Sequence, residues 1–385
     1  MSRRLRAAMT TFAAAAVAAF AAAAAAAPTG AVSCKQPIEL GMMAPLTGPA
    51  ASAGADQLHW AQFFVQQWNA KRNPKIRLTY SDTQLDPSKA AAVAEEFGAK
   101  TTLVGVIGPA DWREVVAAAP ALESAGLAFV SASATPVWLT DGSRRGFFYR
   151  VVPNDAVQGA TVAAYMQRRL GVTRGSSVMI VDDQEPDSIA LADIVESTLR
   201  GRGVIVQRES VSQEATDFSP LVAKADTSTK VVFLPFRLAS HAQLFAQQLR
   251  AQGGHAVVFG SDATFDRSQF NVSGSYVSFF APDVTTIRQN AAIVRAFRRA
   301  FPGPTSPFGP PAYVAVQVYV NAIAKACSDR VVTRAEVRRW LTRTNLPVTL
   351  LGGPLAFTPN GDVAGTPTYH VFWIRNGRYV PVAVA

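Results

Sequence analysis

Leu103-Val104-Gly105-Val106-Ile107-Gly108 is a continuous apolar run closed by glycine. That is the pattern of a short strand buried on both faces, since a strand with one wet face would alternate. Immediately downstream, residues 115–124 have a helical pattern that leads to Leu127-Ala128-Phe129-Val130-Ser131, a second strand. Strand, helix, strand at this rhythm predicts parallel strands joined by right-handed crossovers. Upstream the same rhythm holds. Ile38-Glu39-Leu40-Gly41-Met42-Met43-Ala44 and Ile76-Arg77-Leu78-Thr79-Tyr80-Ser81-Asp82 read as strands. Between them, residues 57–71 have helical periodicity through Trp60, Phe63, Phe64, Val65 and Trp68. Asp86-Pro87 opens the next helix, because Asp can accept from the free amides and Pro fits the first helical position.

The pattern restarts after Val151-Val152-Pro153-Asn154. Helices are expected at 156–170, 188–201 and 239–252, interleaved with strands at 177–181, 204–206, 230–234 and 256–260. This is a second α/β unit of the same style. Further helices follow near 290–301, 311–327 and 333–342. The tail from Tyr369 to Val380 reads as a hairpin turning at Asn376-Gly377. Two α/β units, followed by more helix and a closing hairpin, require the chain to pass between the units more than once.

The chain's start speaks to its compartment. Arg3, Arg4 and Arg6 precede an uncharged, alanine-rich run through Ala27, with an Ala-x-Ala tract before Pro28. This predicts a secretory signal over residues 1–27, cleaved near Ala27, and a periplasmic protein. A retained membrane anchor is the alternative, since the run is long enough to span. Hydrophobic residues make up 49% of the chain and charged residues 17%, which places it among globular proteins. The net charge is +10, three of its arginines lying in the leader. The remaining basic residues are scattered, without the basic-aromatic interleaving that tracks a phosphate backbone, so no nucleic-acid partner is expected. The two cysteines, Cys34 and Cys327, leave two readings open: one disulfide in an oxidising compartment, or lipid attachment at Cys34.

Catalytic chemistry finds no foothold. His59, His241, His255 and His370 fall on different elements without metal-ligand spacing. No Gly-x-Ser-x-Gly elbow and no phosphate-cradling glycine loop with lysine occur. The expectation is a protein that is not an enzyme and carries neither metal nor cofactor.

Several stretches together carry a resemblance. They are Gly41-Met42-Met43-Ala44-Pro45-Leu46-Thr47-Gly48-Pro49, Asp82 with Asp86-Pro87, Val106-Ile107-Gly108-Pro109 and Ser131-Ala132-Ser133-Ala134-Thr135. Later come Phe147-Phe148-Tyr149-Arg150, Asp217-Phe218-Ser219-Pro220-Leu221, Gly260-Ser261-Asp262, and Gly353-Pro354-Leu355-Ala356-Phe357 with Gly361-Asp362. In this order and spacing the chain resembles the branched-chain amino-acid (leucine/isoleucine/valine-type) periplasmic binding proteins of ABC transporters. The resemblance implies the type I periplasmic binding fold: two Rossmann-like lobes with parallel central sheets, three crossings, and a ligand cleft between the lobes. It places residues 34–152 with 283–352 in the first lobe and 153–282 with 353–385 in the second. The crossings fall near 151–154, 280–283 and 351–355.

The same resemblance implies a monomeric carrier whose lobes close on a small solute and deliver it to a membrane permease. A periplasmic sensor on this fold, reporting to a signalling partner, is the alternative. The positions matching the family's carboxylate cradle are Trp112, Ser133, Ala134 and Thr135. Asp262 matches the acidic residue that pairs with the ligand's ammonium. The chain departs from the family at Trp112, where serine is usual, and at Ala53, Asp187 and Arg237, where ligand-enclosing aromatics are usual. Asp187 and Arg237 bring opposite charges into the cleft, either to pair with each other or to read a polar or anionic ligand. The expected solute is therefore an amino acid or a related small carboxylate. Cys34 and Cys327 would both lie at the far end of the first lobe, where they can pair.

Overall fold

The structure is a computed structural model that describes residues 31–303 and 306–383. Residues 1–27, read above as an export signal, lie outside the described residues. The first stretch of chain runs β1 (Val32–Ser33), β2 (Ile38–Ala44), α1 (Ala51–Lys71), β3 (Ile76–Asp82), α2 (Pro87–Ala99), β4 (Leu103–Ile107), α3 (Trp112–Ser124), β5 (Phe129–Ser131) and β6 (Phe148–Arg150). Five of these strands form one fully parallel sheet in the order β3-β2-β4-β5-β6. All five residues of β4 are buried, as its unbroken apolar sequence requires.

The chain then leaves this sheet. It continues through α4 (Asp155–Arg169), β7 (Ser177–Asp182), α5 (Pro186–Arg200), β8 (Ile205–Ser210), α6 (Ser219–Val222), β9 (Thr229–Leu234), α7 (Ala239–Ala251), β10 (Val257–Gly260) and β11 (Tyr276–Phe279). It next returns to the first sheet with α8 (Ala291–Ala300), α9 (Pro310–Ala326), β12 (Val331–Val332) and α10 (Arg334–Leu341). A small ladder of β13 (Asn345–Leu346) and β14 (Leu355–Ala356) follows, and the chain finishes on the second sheet with β15 (His370–Arg375) and β16 (Arg378–Val382). The second sheet has the order β16-β15-β11-β10-β9-β7-β8. It is parallel from β8 to β11, but β15 and β16 run antiparallel at its edge, so this sheet is mixed where a parallel one was expected. The hairpin turn has left-handed φ at Asn376 (+50°) and Gly377 (+69°), the pair a tight primed turn demands.

The returning helices are fixed to the first sheet by aromatic and polar contacts. Trp60 of α1 stacks on Phe297 of α8 at 3.8 Å between ring centroids. α9 is apolar nearly all round and buried, and its Tyr319 hydroxyl sits among the Val106 amide and the Val106 and Ala128 carbonyls. Cys34 and Cys327 are joined by a disulfide across 293 residues of sequence. Closing so long a loop removes unfolded-state entropy worth about 5–6 kcal/mol in the chain-entropy account.

The first and third passages between the sheets are tied together. Arg150, fully buried, donates through Nε to Asp362 Oδ1 at 2.6 Å and through Nη1 to the carbonyls of Ala134 and Pro136. Asp362 Oδ2 also accepts from Thr140 Oγ1 at 2.6 Å and from Asn154 Nδ2 at 3.2 Å. A buried guanidinium is tolerable here because each of its three nitrogens donates to an acceptor, Nη2 to Thr140 Oγ1.

Candidate functional site

The carboxyl ends of parallel strands leave backbone groups and loop side chains exposed at a sheet edge, which is where open α/β sheets bind ligands. On the first sheet this edge carries the β4–α3 and β5–β6 loops. Asp111 caps α3, accepting from Arg113 N at 2.9 Å, while Glu114 Oε2 accepts from Asp111 N at 3.1 Å. Ser131 at the end of β5 donates to Pro109 O (2.7 Å) and accepts from the amides of Ser133 (3.3 Å) and Ala134 (3.0 Å). The Ser133 hydroxyl donates to Ala110 O (2.8 Å) and accepts from Gln57 Nε2 (3.0 Å). Ser133 and Ala134, two of the four positions matched to a carboxylate cradle, are thus engaged within the protein.

Thr135 and Trp112 stand differently. The Thr135 hydroxyl lies beside the Asp155 carboxyl, whose proton affinity it lowers, and the Tyr369 hydroxyl is buried without a hydrogen-bond partner. Trp112 is the first residue of α3, set edge-on to Trp138 at 5.7 Å, and its indole N–H is buried without an acceptor.

The second sheet supplies the opposite wall. Asp262 follows β10, and its Oδ1 accepts from Gln158 Nε2 at 2.6 Å. Gln158, in the first turns of α4 and fully buried, also donates to Ser278 Oγ at 2.9 Å, while its Oε1 has no donor. Asp155 opens α4, and Asp187 sits in the first turn of α5 with a buried Oδ1 that lacks a partner. Asp183 Oδ2 accepts from the Arg237 amide at 2.6 Å.

These groups form one electrostatic cluster. Burial pushes the Asp155 carboxyl up to about 8; the neighbouring Asp262 adds to the rise and Thr135 opposes it. Burial pushes Asp262 up to about 6, against the hydrogen bond from Gln158. Burial also raises Asp187, which feels Arg237 in the opposite direction and Asp111 in the same one. Glu114, beneath the start of α3, is pushed by burial to about 7.

Arg237 joins the two walls. Its Nη2 meets Asp111 Oδ2 at 2.8 Å, while its Nη1 lies 3.7 Å from Asp187 Oδ2. Arg113 Nη1 reaches Glu185 Oε2 at 3.5 Å beside it. Arg237 therefore meets the opposite wall's Asp111 more closely than Asp187 of its own sheet.

Of the residues singled out in the sequence, Thr135, Asp187, Arg237 and Asp262 come together in this cluster, and Trp112 stands beside it. Ser133 and Ala134 turn into internal bonds. Sequence reasoning missed Asp155 and Gln158. Asn154-Asp155 looks like an ordinary helix start, and Asn154 does cap α4, its Oδ1 accepting from Ala156 N at 3.1 Å.

The sequence model of the family described as "Periplasmic binding protein" matches residues 37–378. The chain is 25% identical over 351 residues to a protein of Brucella melitensis named "Leu/Ile/Val-binding protein homolog 3", covering 89% of this chain and 93% of that one. Among solved structures, it superposes with a TM-score of 0.76 on the branched-chain amino acid transporter substrate binding protein LivJ from Streptococcus pneumoniae, solved in complex with isoleucine. The identity is 22%, and the match covers 90% of this chain and 99% of that one. A solute binding protein of an ABC transporter from R. palustris, in complex with benzoate, matches at TM-score 0.73 and 14% identity, over 90% of this chain and 95% of that one.

Proposed function

The chain belongs to the periplasmic binding protein family, and on that premise we propose that it is the extracytoplasmic solute-binding protein of an ABC importer. It captures an amino acid or related small carboxylate between its two lobes and passes the closed complex to a membrane permease. The lobes are taken as residues 34–152 with 283–352, and 153–282 with 353–385. The chain works as a monomer, without catalysis. Its relatives' names point the same way: the Brucella protein is a Leu/Ile/Val-binding protein homolog, and the Streptococcus protein was solved with isoleucine.

The observation that carries this reading is the meeting of the two walls. Side chains from both sheets converge at the strand ends, and the contacts of Arg237 with Asp111 and of Arg113 with Glu185 join them across the junction. In the proposed pose the solute carboxylate lies against Thr135, with the Ser133 and Ala134 segment behind it, and its ammonium faces Asp262. Trp112, Asp187 and Arg237 border the remaining space. Closure desolvates these groups together, so a solute that leaves one unpaired is rejected.

A thermal-shift screen of the exported chain against amino acids, aromatic acids and small carboxylates tests the proposal. A solute that binds only the folded state stabilises it by about 2.7 kcal/mol at one hundred times its dissociation constant. The expected result is an upward shift with at least one class. No shift with any class, in protein refolded from denaturant to strip retained solute, would overturn it.

A further inference from the structure

Five charged side chains cross the junction as one alternating chain. Glu185 Oε2 lies 3.5 Å from Arg113 Nη1, and Arg113 Nε lies 3.4 Å from Asp111 Oδ1. Asp111 Oδ2 then meets Arg237 Nη2 at 2.8 Å, and Arg237 Nη1 lies 3.7 Å from Asp187 Oδ2. Asp111 and Arg113 belong to the first wall, and Glu185, Asp187 and Arg237 to the second. Two links therefore cross between the walls, while the other two lie within one wall each. The fold sets both sides in place. Asp111 is held as the cap of α3. On the second wall, the buried Asp183 carboxylate accepts from the Arg237 amide at 2.6 Å and from the Glu185 amide at 3.4 Å. Glu185 precedes α5 without capping it, which leaves its carboxylate for Arg113.

These links need no solute to form. Both Nη groups of Arg237 face protein carboxylates, and the Arg237 and Asp111 side chains keep only 14% and 12% of their surface exposed. With water largely displaced, their attraction exceeds that of an open surface pair. On opening, Arg113 keeps Asp111 and Arg237 keeps Asp187, so neither guanidinium is left unpaired and the links can release. Building on the solute-binding reading above, we propose that this chain of charges is a closure latch. It draws the lobes together without solute and sets the closed fraction, while other residues read the solute. Apparent affinity scales with the fraction of molecules in the binding-competent form, so the latch tightens every solute by the same factor.

Asp111→Asn tests this, because asparagine caps a helix as well as aspartate does and Asp111 lies outside the proposed solute pose. Glu185→Gln tests the second crossing link. In small-angle X-ray scattering of the refolded, solute-free chain, both variants should have a larger radius of gyration than wild type. Thermal melts check that both fold. Calorimetry with each solute found in the thermal screen should show one common loss of about twofold to fivefold, with the ratios between solutes unchanged. Equal radii of gyration in the three proteins would overturn the latch. So would a loss that differs from solute to solute, or no loss in either variant, and these outcomes leave the solute-binding reading standing. If no solute binds, that reading fails, and the scattering comparison still decides the latch.

Discussion

At the scale of single residues, Thr135 is the most exacting position. Its neighbours Ser133 and Ala134 satisfy their polar groups on Ser131, Ala110 and Gln57, so the proposed cradle depends on the Thr135 hydroxyl turning from Asp155 to the solute. Thr135→Val keeps the shape and removes the hydroxyl, and it should weaken a carboxylate-bearing solute by roughly 1–3 kcal/mol. Calorimetry on wild type and variant measures the difference, and equal affinities would remove Thr135 from the cradle. Much of this neighbourhood could be read in the sequence because Ser131 to Thr135 and Gly260 to Asp262 sit at strand ends, where any α/β sheet presents its loops. The partnership of Arg237 with Asp111 could not. It spans 126 residues of sequence and depends on how two separately folded walls face each other, which no local pattern encodes. Asp155 and Gln158 were hidden for a different reason. Both belong to a helix start whose residues already had a sufficient local explanation.

At the scale of elements, apolar runs gave the central strands and capping chemistry gave several helix starts. Asp86 accepts from Ser88 N at 2.7 Å and from Lys89 N at 3.2 Å at the head of α2, as its place before Pro87 predicts. The elements that escaped were short. β6 and β11, of three and four residues, are too brief for a period to declare itself. α1 starts at Ala51, six residues before its apolar stripe, because Ala51-Ser52-Ala53-Gly54-Ala55-Asp56 offers small residues with no large apolar side chain. Packing between elements also explains a glycine. A Cβ on Gly105 would stand 2.2 Å from the Tyr319 ring, so β4 and α9 approach each other through that gap. Gly105→Ala should destabilise the fold by about 1–3 kcal/mol through overpacking. Urea unfolding measures the loss, and a stability within about 0.5 kcal/mol of wild type would show that the helix can yield.

At the scale of the whole molecule, alternation of strand and helix revealed two α/β units, and the tail hairpin was visible from Asn376-Gly377. The antiparallel placement of that hairpin beside β11 was not, since pairing direction at a sheet edge is set by how the last passage returns. The buried acids give the molecule a characteristic pH response. In the fold, burial raises Asp155 to about 8, Glu114 to about 7, and Asp56 and Asp262 to about 6. The unfolded chain loses these protons near pH ~4, so the native state holds more protons between there and about pH 8, and stability falls as pH rises through that window. His370 acts in the opposite direction. Burial lowers it to about 4, so below about pH 6.5 the unfolded chain takes up a proton that the fold refuses. Without added solute, the melting temperature should therefore be higher near pH ~5.5 than near pH ~8.5. Differential scanning calorimetry across that range checks the sign, and a melting temperature that climbs with pH would mean that these acids are not buried in solution.

The crystal structure of the exported chain with its solute bound tests the central claim most directly. The account predicts one solute enclosed between the two walls, its carboxylate or polar end against Thr135 and a cationic nitrogen against Asp262. Arg237 and Asp187 should border it. A solute held on one wall alone, or bound away from the junction while Thr135 and Asp262 stay in contact only with protein, would contradict it.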